Sequence, residues 1–332
     1  MSLFQNLINK ISKSFAWRAG LYDMANQLDR IESKIDFLMT RQGFESTVPE
    51  KINTCFAPDG LPVVFITDTG YLEPTLLAIF SLCRHAGTAT KYNINLVMAG
   101  CSPESRDRVK STFPGINIIS VPIPQSNVMC KSNVTLTALL KFDLPELLPS
   151  CSRVLYLDGD VLVRSDLSEL INLPFQDGKM CGAVKDCKAI IDGYPQKNQL
   201  KIGNGYFNSG VLLMNLAAMR ANHTSEQLWK IRSEINLRFM DQDCFNIVFA
   251  DKVFHLPFTY NMMMENIKKT TLSMRTIAEI YETTEAKFTT AFAAPAIVHY
   301  SSPKPWNSTR TSGYEYYWEE KSLFDLYVLK SC

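Results

Sequence analysis

The run Val154-Leu-Tyr-Leu-Asp-Gly-Asp-Val-Leu-Val163 constrains the fold of this chain more than any other stretch. Val154 to Leu157 reads as a buried strand, interrupted by Asp158-Gly159-Asp160 and resumed by Val161 to Val163. Two carboxylates inside an apolar strand are costly unless something neutralises them, because an unpaired charge is poorly tolerated away from water. Residues i and i+2 of a strand share a face, so Asp158 and Asp160 can act on one ligand. Gly159 between them lets the backbone bend and a ligand come close. A hard divalent cation, Mn2+ (or Mg2+), bridging to phosphate oxygens suits such a pair. A strand-end turn whose aspartates cap backbone amides fits the same three residues.

A chain of 332 residues is long enough for one large domain or two ordinary ones. Its 34 basic and 33 acidic residues nearly cancel, which argues against a bulk nucleic-acid binder. No apolar run reaches the ~18 residues of a membrane-spanning helix. The first residues, MSLFQNLINKISKSF, lack the apolar core and cleavage site of a secretory signal. Nine dispersed cysteines, none in a CxxC pair, fit reduced thiols and a cytoplasmic location. The three N-x-S/T sequons at Asn133, Asn222 and Asn307 are then chance occurrences.

Residues 1–46 differ from the rest. Leu21, Met24, Leu28, Ile31, Ile35 and Leu38 are spaced 3, 4, 3, 4, 3, with charged and polar residues between them. The seam predicts a coiled-coil helix used for homo-oligomerisation, or an amphipathic helix folded back on its own domain. Upstream, Phe4, Leu7, Ile8, Ile11 and Phe15 alternate with Lys10, Lys13 and Arg18. That face suits peripheral contact with the inner side of a cell membrane, or an extension of the bundle. Residues 47–60 read as a linker ending in the turn signal Ala57-Pro58-Asp59-Gly60, with a catalytic domain over 61–310 and a covering helix over 311–332.

From Pro62 the pattern is strand, helix, strand, helix, strand: Pro62–Thr67, Glu73–Arg84, Tyr92–Met98, a helix opened by Ser102-Pro103, and Ile116–Val121. This predicts a doubly wound α/β sheet with a nucleotide crevice at the strand C-termini, where Asp68 sits. No GxGxxG is present, so a dinucleotide fingerprint is absent, and no glycine-rich phosphate loop supports a nucleotidyltransferase. A helix over Thr135–Leu148 precedes the central strand, and Cys181–Val184 is another strand. Ala189–Gly205 reads as an irregular loop near the site, and Tyr206–Asn215 as an apolar strand holding Asn208-Ser209-Gly210. Helices over His223–Leu237 and from Asp241, a strand at Val253–Leu256 and a strand Ile297–Tyr300 complete the reading.

Taken together, LYLDGDVLV, FNSGVLLMN, DQDCFN and HYSSPKPW resemble, in order and spacing, the motifs of glycosyltransferase family 8. That group includes bacterial lipopolysaccharide galactosyl- and glucosyltransferases and the glycogenins. The resemblance covers about Val63 to Trp306. It implies a GT-A type fold with a mixed central sheet, a UDP-sugar donor, a bound metal and retention of anomeric configuration. By position, Asp158, Asp160 and His299 match the metal ligands. Asp68, Tyr71, Gly159, Asn208, Ser209 and Lys304 match residues that hold the donor, with Asp158 again among them. Asp186 matches an acid near the acceptor, and Asp241 and Gln242 match the pair nearest the reacting carbon.

Three positions depart from the family pattern. Lys141 in KFDLPELLP stands where relatives commonly have a donor-binding arginine, and lysine lacks that planar bidentate fork. Thr69-Gly70 replaces a frequent Asp and Asn, and Ser302 replaces a glycine in a final motif one residue shorter. The implied function is a metal-dependent retaining glycosyltransferase carrying a hexose from a UDP-sugar to a saccharide or lipid-linked saccharide of a bacterial surface glycan. The alternative from another class is a scaffold protein, organised by the N-terminal seam, that keeps a degenerate sugar-nucleotide site. No nucleic-acid partner is expected.

Overall fold

The computed structural model describes residues 44–123, 136–176, 178–203, 205–235, 237–308 and 311–331. The heptad seam and the basic amphipathic face upstream of it lie in residues 1–43, outside the described residues. Nine strands are present among the described residues: β1 Phe56–Thr67, β2 Tyr92–Ala99, β3 Asn117–Val121, β4 Val154–Leu157, β5 Val161–Val163, β6 Cys181–Lys185, β7 Phe207–Met214, β8 Val253–His255 and β9 Ile297–His299. Seven form one sheet in the order β3-β2-β1-β4-β7-β6-β8, and β5 pairs with β9 in a small second sheet.

β1, β2, β3 and β4 run parallel, whereas β7 is antiparallel to both β4 and β6, so the sheet is mixed. Strands covered on both faces read as continuous apolar runs, and β1 and β4 do. Val63 and Phe65 of β1 pack with Leu76 and Phe80 of the helix Leu72–His85 on one face. Val64 and Ile66 pack with Phe142 and Leu144 on the other. Tyr156 and Leu157 of β4 divide in the same way between the two cores.

The segment 47–60 is not a linker. Phe44–Thr54 is a helix whose Ile52 is fully buried, and β1 begins at Phe56. The turn signal Ala57-Pro58-Asp59-Gly60 marks a bulge inside that strand, because Phe56 and Leu61 both register with Tyr92. A Cβ on Gly60 would meet the Tyr92 backbone at 2.7 Å, so only glycine lets the two strands approach there. Composition signalled the bulge residues but not that pairing resumes on both sides.

Two other expectations change. The helix expected over Thr135–Leu148 breaks into Leu136–Leu139, a 3-10 turn Leu140–Asp143 and Leu144–Leu147. Pro145 lies in the first turn of the last piece, where its missing N–H costs nothing. The loop expected over Ala189–Gly205 contains part of the helix Cys187–Ile191 and all of Tyr194–Lys197. Both helices are only a turn long or little more, too short for a periodic signal. A 3-10 turn, Phe258–Asn261, and three helices, Met264–Lys268, Met274–Ile280 and Glu285–Ala293, fill the region before β9. The last helix, Tyr314–Ser331, lays Phe324 and Tyr327 against Phe80 and Phe113.

Candidate active site

Strand order reverses direction between β1 and β4: β2 and β3 lie on one side, β7, β6 and β8 on the other. In an open α/β sheet the crevice at such a switch point, beyond the strand C-termini, is where ligands bind. Here it is a cavity of about 1040 Å³ lined by Asp68, Tyr71, Lys141, Asp158, Gly159, Asp160, Asp186, Asn208, Ser209, Asp241, Gln242, His299 and Lys304. Every site residue singled out from the sequence therefore faces one space.

Asp158 closes β4 and Asp160 opens β5, so the pair straddles the two sheets. β9 pairs antiparallel with β5 and sets His299 opposite Val161. His299 Nε2 is 3.3 Å from Asp160 Oδ1 and 3.8 Å from Asp158 Oδ2. One ligand atom from each of the three lies within 4.8 Å of the others. Asp160 Oδ1 is buried with no hydrogen-bond partner among the described residues, while Oδ2 accepts from Lys304 Nζ. Burial works against charge on Asp160, but His299 and Lys304 outweigh it and hold the carboxyl well below the usual range. An acceptor-only oxygen without a donor, beside a second carboxylate and an imidazole, is the donor set of a hard divalent cation. The residues fit a metal.

The hydrogen-bond chain behind His299 fixes its tautomer. Backbone N–H groups can only donate, so the N–H of Gly210 to Asn208 Oδ1, 2.9 Å, settles which end of that amide is oxygen. Asn261 Nδ2 donates to the same Oδ1 at 2.9 Å, leaving Asn261 Oδ1 to accept from His299 Nδ1 at 2.8 Å. With Nδ1 carrying a proton, the neutral ring turns its Nε2 lone pair toward the two aspartates, the form that binds a metal. Neither Asn261 nor Gly210 was named as a site residue from the sequence. A Cβ at Gly210 would stand 2.3 Å from His299 Cε1 and 2.7 Å from Asp158 Oδ2, so β7 can pass the cluster only as glycine. Gly159 is equally tight, with Thr75 Oγ1 2.2 Å from its would-be Cβ.

Gln242 is oriented by the same logic. Its Oε1 accepts from Ser209 N at 3.2 Å and Asn208 Nδ2 at 2.9 Å, and its Nε2 donates to Asp186 Oδ2 at 3.2 Å. Asp186 also caps the helix Cys187–Ile191 through Ala189 N, 3.0 Å. Burial raises the Asp186 pKa against these hydrogen bonds. Asp241 Oδ2 accepts from Ser209 Oγ at 2.9 Å and from Lys141 Nζ at 2.8 Å. The second acid of the DQDCFN motif, Asp243, is fully buried and accepts from Tyr194 and Tyr206 hydroxyls, which tie the helix Met240–Val248 to its neighbours.

Lys141 is 2% exposed and bridges Asp241 to Asp158 Oδ1, 3.1 Å away, with the Ser209 carbonyl at 3.3 Å. Burial would lower its pKa, but the two aspartates raise it, so it stays cationic. Lys304 Nζ also donates to the carbonyls of Tyr300 and Ser301 at 2.7 and 3.0 Å, and its charge is kept by Asp160 against burial. Asp68 accepts from the N–H groups of Gly70 and Tyr71 at 3.0 Å each and from Thr137 Oγ1 at 3.0 Å. That turn holds the half-exposed Tyr71 ring edge-on to Trp306, 6.1 Å between centroids.

A family model described as glycosyl transferase family 8 matches residues 62–310. The glycosyltransferase GlyF of Streptococcus pneumoniae is 28% identical over 266 residues, 77% of this chain and 60% of that protein. The lipopolysaccharide glucosyltransferase WaaO of Escherichia coli is 29% identical over 47% of this chain and 44% of its own length. The chain spans 34% of GlyA and 60% each of GlyB and GlyF, three curated relatives from the same streptococcus. Among solved structures, galactosyltransferase LgtC in complex with donor and acceptor sugar analogues is 26% identical with a TM-score of 0.63, over 80% of this chain and 95% of that one. The bifunctional WbbM shares the fold at 23% identity and a TM-score of 0.65, over 84% of this chain and 53% of that one. The architecture is that of GT-A glycosyltransferases. With the match running from within β1 to beyond Lys304, this chain belongs to glycosyl transferase family 8.

Proposed function

We propose that this chain is a metal-dependent, retaining glycosyltransferase that moves a hexose, glucose or galactose, from a UDP-sugar to a saccharide acceptor of a bacterial surface glycan. The observation that carries the reading is the buried, unbonded Asp160 Oδ1 beside Asp158 and His299 in the switch-point cavity. The family and its lipopolysaccharide glucosyltransferase relatives support the same class of reaction.

Asp158, Asp160 and His299 would hold Mn2+ or Mg2+, which when bound stabilises the negative charge that develops on a departing diphosphate. In the transfer, the bond from the anomeric carbon to the diphosphate oxygen breaks and its electron pair leaves with UDP. The acceptor hydroxyl oxygen bonds to that carbon, and its proton passes to the leaving phosphate. Lys304, cationic at the rim of the cluster, adds positive charge where the diphosphate lies. Asp68 and Tyr71 hold the nucleoside end, and Asn208 and Ser209 the sugar. Gln242 Oε1, held in place by two donors, would lie beside the sugar and contribute negative potential as the carbon becomes cationic. Asp186 serves the acceptor side.

No helix among the described residues is long and apolar enough to cross a membrane. A cytoplasmic enzyme, self-associating and touching the inner membrane face through residues 1–43, accords with this reading. Incubation with a panel of UDP-sugars and Mn2+, following UDP release, tests it. Chelator should abolish turnover, metal should restore it, and Asp160→Ala should cost about 100-fold, the scale of one major electrostatic stabiliser. Full activity in excess chelator would refute metal dependence.

A further inference from the structure

The cavity has a second group of cations that the donor does not need. Lys188, Lys197 and Arg238 line it together with a single exposed acid, Asp192. Lys188 Nζ pairs with Asp192 at 2.7 Å. Lys197 Nζ donates to the Asp192 carbonyl at 2.6 Å. Among the described residues, neither Lys197 nor Arg238 pairs with a carboxylate. A hydrogen-bond chain runs from His299 through Asn261, Asn208 and Gln242 to Asp186, which caps the helix Cys187–Ile191 that carries Lys188. Lys304 already serves the cation cluster at the other end.

The wall that carries them is built, not incidental. Phe239 is 38% exposed, its ring 4.9 Å from that of Tyr194, with the Arg238 guanidinium 5.2 Å from the Phe239 centroid. Asp243, fully buried, accepts from both the Tyr194 hydroxyl, 2.7 Å, and the Phe239 N–H, 3.0 Å. One buried carboxylate thus fixes an aromatic platform of the kind a sugar ring packs on, with cations at its border.

We propose that this wall binds the acceptor and that the acceptor is an anionic saccharide, one bearing a phosphate or carboxylate near the accepting hydroxyl. A neutral sugar's hydroxyls can accept from two such cations, but a phosphate or carboxylate forms the stronger bonds in which both partners are charged. This deepens the glycosyltransferase reading and rests on it.

The test compares glucose 6-phosphate and glucuronic acid with glucose, first by calorimetric binding to the full chain with UDP and Mn2+. Binding about tenfold tighter for at least one anionic sugar is expected, the scale of one charge-assisted bond at a partly exposed site. The two anionic probes separate phosphate from carboxylate recognition. The selectivity ratio should collapse toward one in Arg238→Gln combined with Lys197→Gln, and should shrink in high salt. Equal affinity for all three sugars, or a ratio unchanged in the double variant, would overturn the proposal whether or not the protein turns over. An anionic preference that persists in a protein releasing no UDP from any UDP-sugar would overturn the glycosyltransferase reading alone.

Discussion

Gly210 concentrates the chemistry of the site at one backbone atom. Its missing side chain is the space that His299 and Asp158 share. Gly210→Ala adds one carbon that neither β7 nor the imidazole can easily yield to, since Asn261 pins the ring. The expected outcome is a protein that folds, by circular dichroism, but binds Mn2+ at least ~10-fold more weakly, as for lost outer-sphere support of a metal ligand. Asn261→Ala, which frees His299 Nδ1, should act in the same direction and by a similar amount. Unchanged metal affinity in both would show that the imidazole is not a ligand. Gln242 makes a different prediction. In the proposed role its contact with the sugar strengthens as charge develops, so Gln242→Ala should lower kcat while UDP-sugar affinity moves only a few-fold. Because Oε1 already accepts from two donors, the proposed role is that of an electrostatic stabiliser, not a nucleophile. A sugar covalently attached to residue 242 or to Asp241, found by mass spectrometry, would reverse that assignment. Asp158 and Asp160 could be named from sequence because two carboxylates are unusual inside an apolar strand, and His299 and Gln242 because HYSSPKPW and DQDCFN match family motifs. Gly210, Asn261 and Asp243 could not, since their importance arises from which strand passes which ring.

Strands and long helices were legible because their apolar runs have a clear period and length, as in β1, β4, β7 and the helix Leu72–His85. The misread segments are those where tertiary contact overrides composition. Pro49 and the Pro58-Gly60 turn made 47–60 look like a linker, yet Ile52 and Cys55 are buried and the Cys55 carbonyl accepts from Tyr92 N at 2.8 Å. Burying one isoleucine contributes about 1.5–3 kcal/mol, enough for a marginal helix to dock. The boundary of the folded unit therefore moves. Deleting 1–43 should leave thermal stability nearly unchanged while lowering oligomeric state or membrane-fraction retention. Deleting 1–60 removes the Ile52 contact and the start of β1, and should lower the melting temperature by several degrees or prevent folding. Equal stability of the two truncations, by calorimetry, would show that the helix Phe44–Thr54 adds nothing. The short helices between Ala189 and Gly205 escaped notice for a simpler reason. A single turn shows no period, and Gly193 with a left-handed φ of 62° sets Tyr194–Lys197 off from its predecessor.

At the scale of the molecule, the cluster sits on a seam. Asp158 directly follows β4 of the seven-stranded sheet, whereas Asp160 directly precedes β5 and His299 ends β9 of the β5–β9 pair. Gly159 joins them through the backbone, and Asn261 joins them by hydrogen bonds, 2.8 Å to His299 Nδ1 beside β5 and 2.9 Å to Asn208 Oδ1 of β7. A cation held by all three residues would bridge the two sheets, so its binding free energy adds to the stability of the whole fold. At a free concentration 100 times its dissociation constant a ligand adds about 2.7 kcal/mol. In a domain of this size that raises the melting temperature by a few degrees. Mn2+ with UDP should give that shift, chelator should remove it, and UDP alone should give less. Asp160→Ala should abolish the Mn2+-dependent part, because it deletes a buried carboxylate oxygen that has no donor among the described residues. Asp192→Ala, at the far rim, should leave it intact. A shift of the same size in the Asp160 variant would mean that the metal binds elsewhere, and the bridge between the sheets would have to be abandoned.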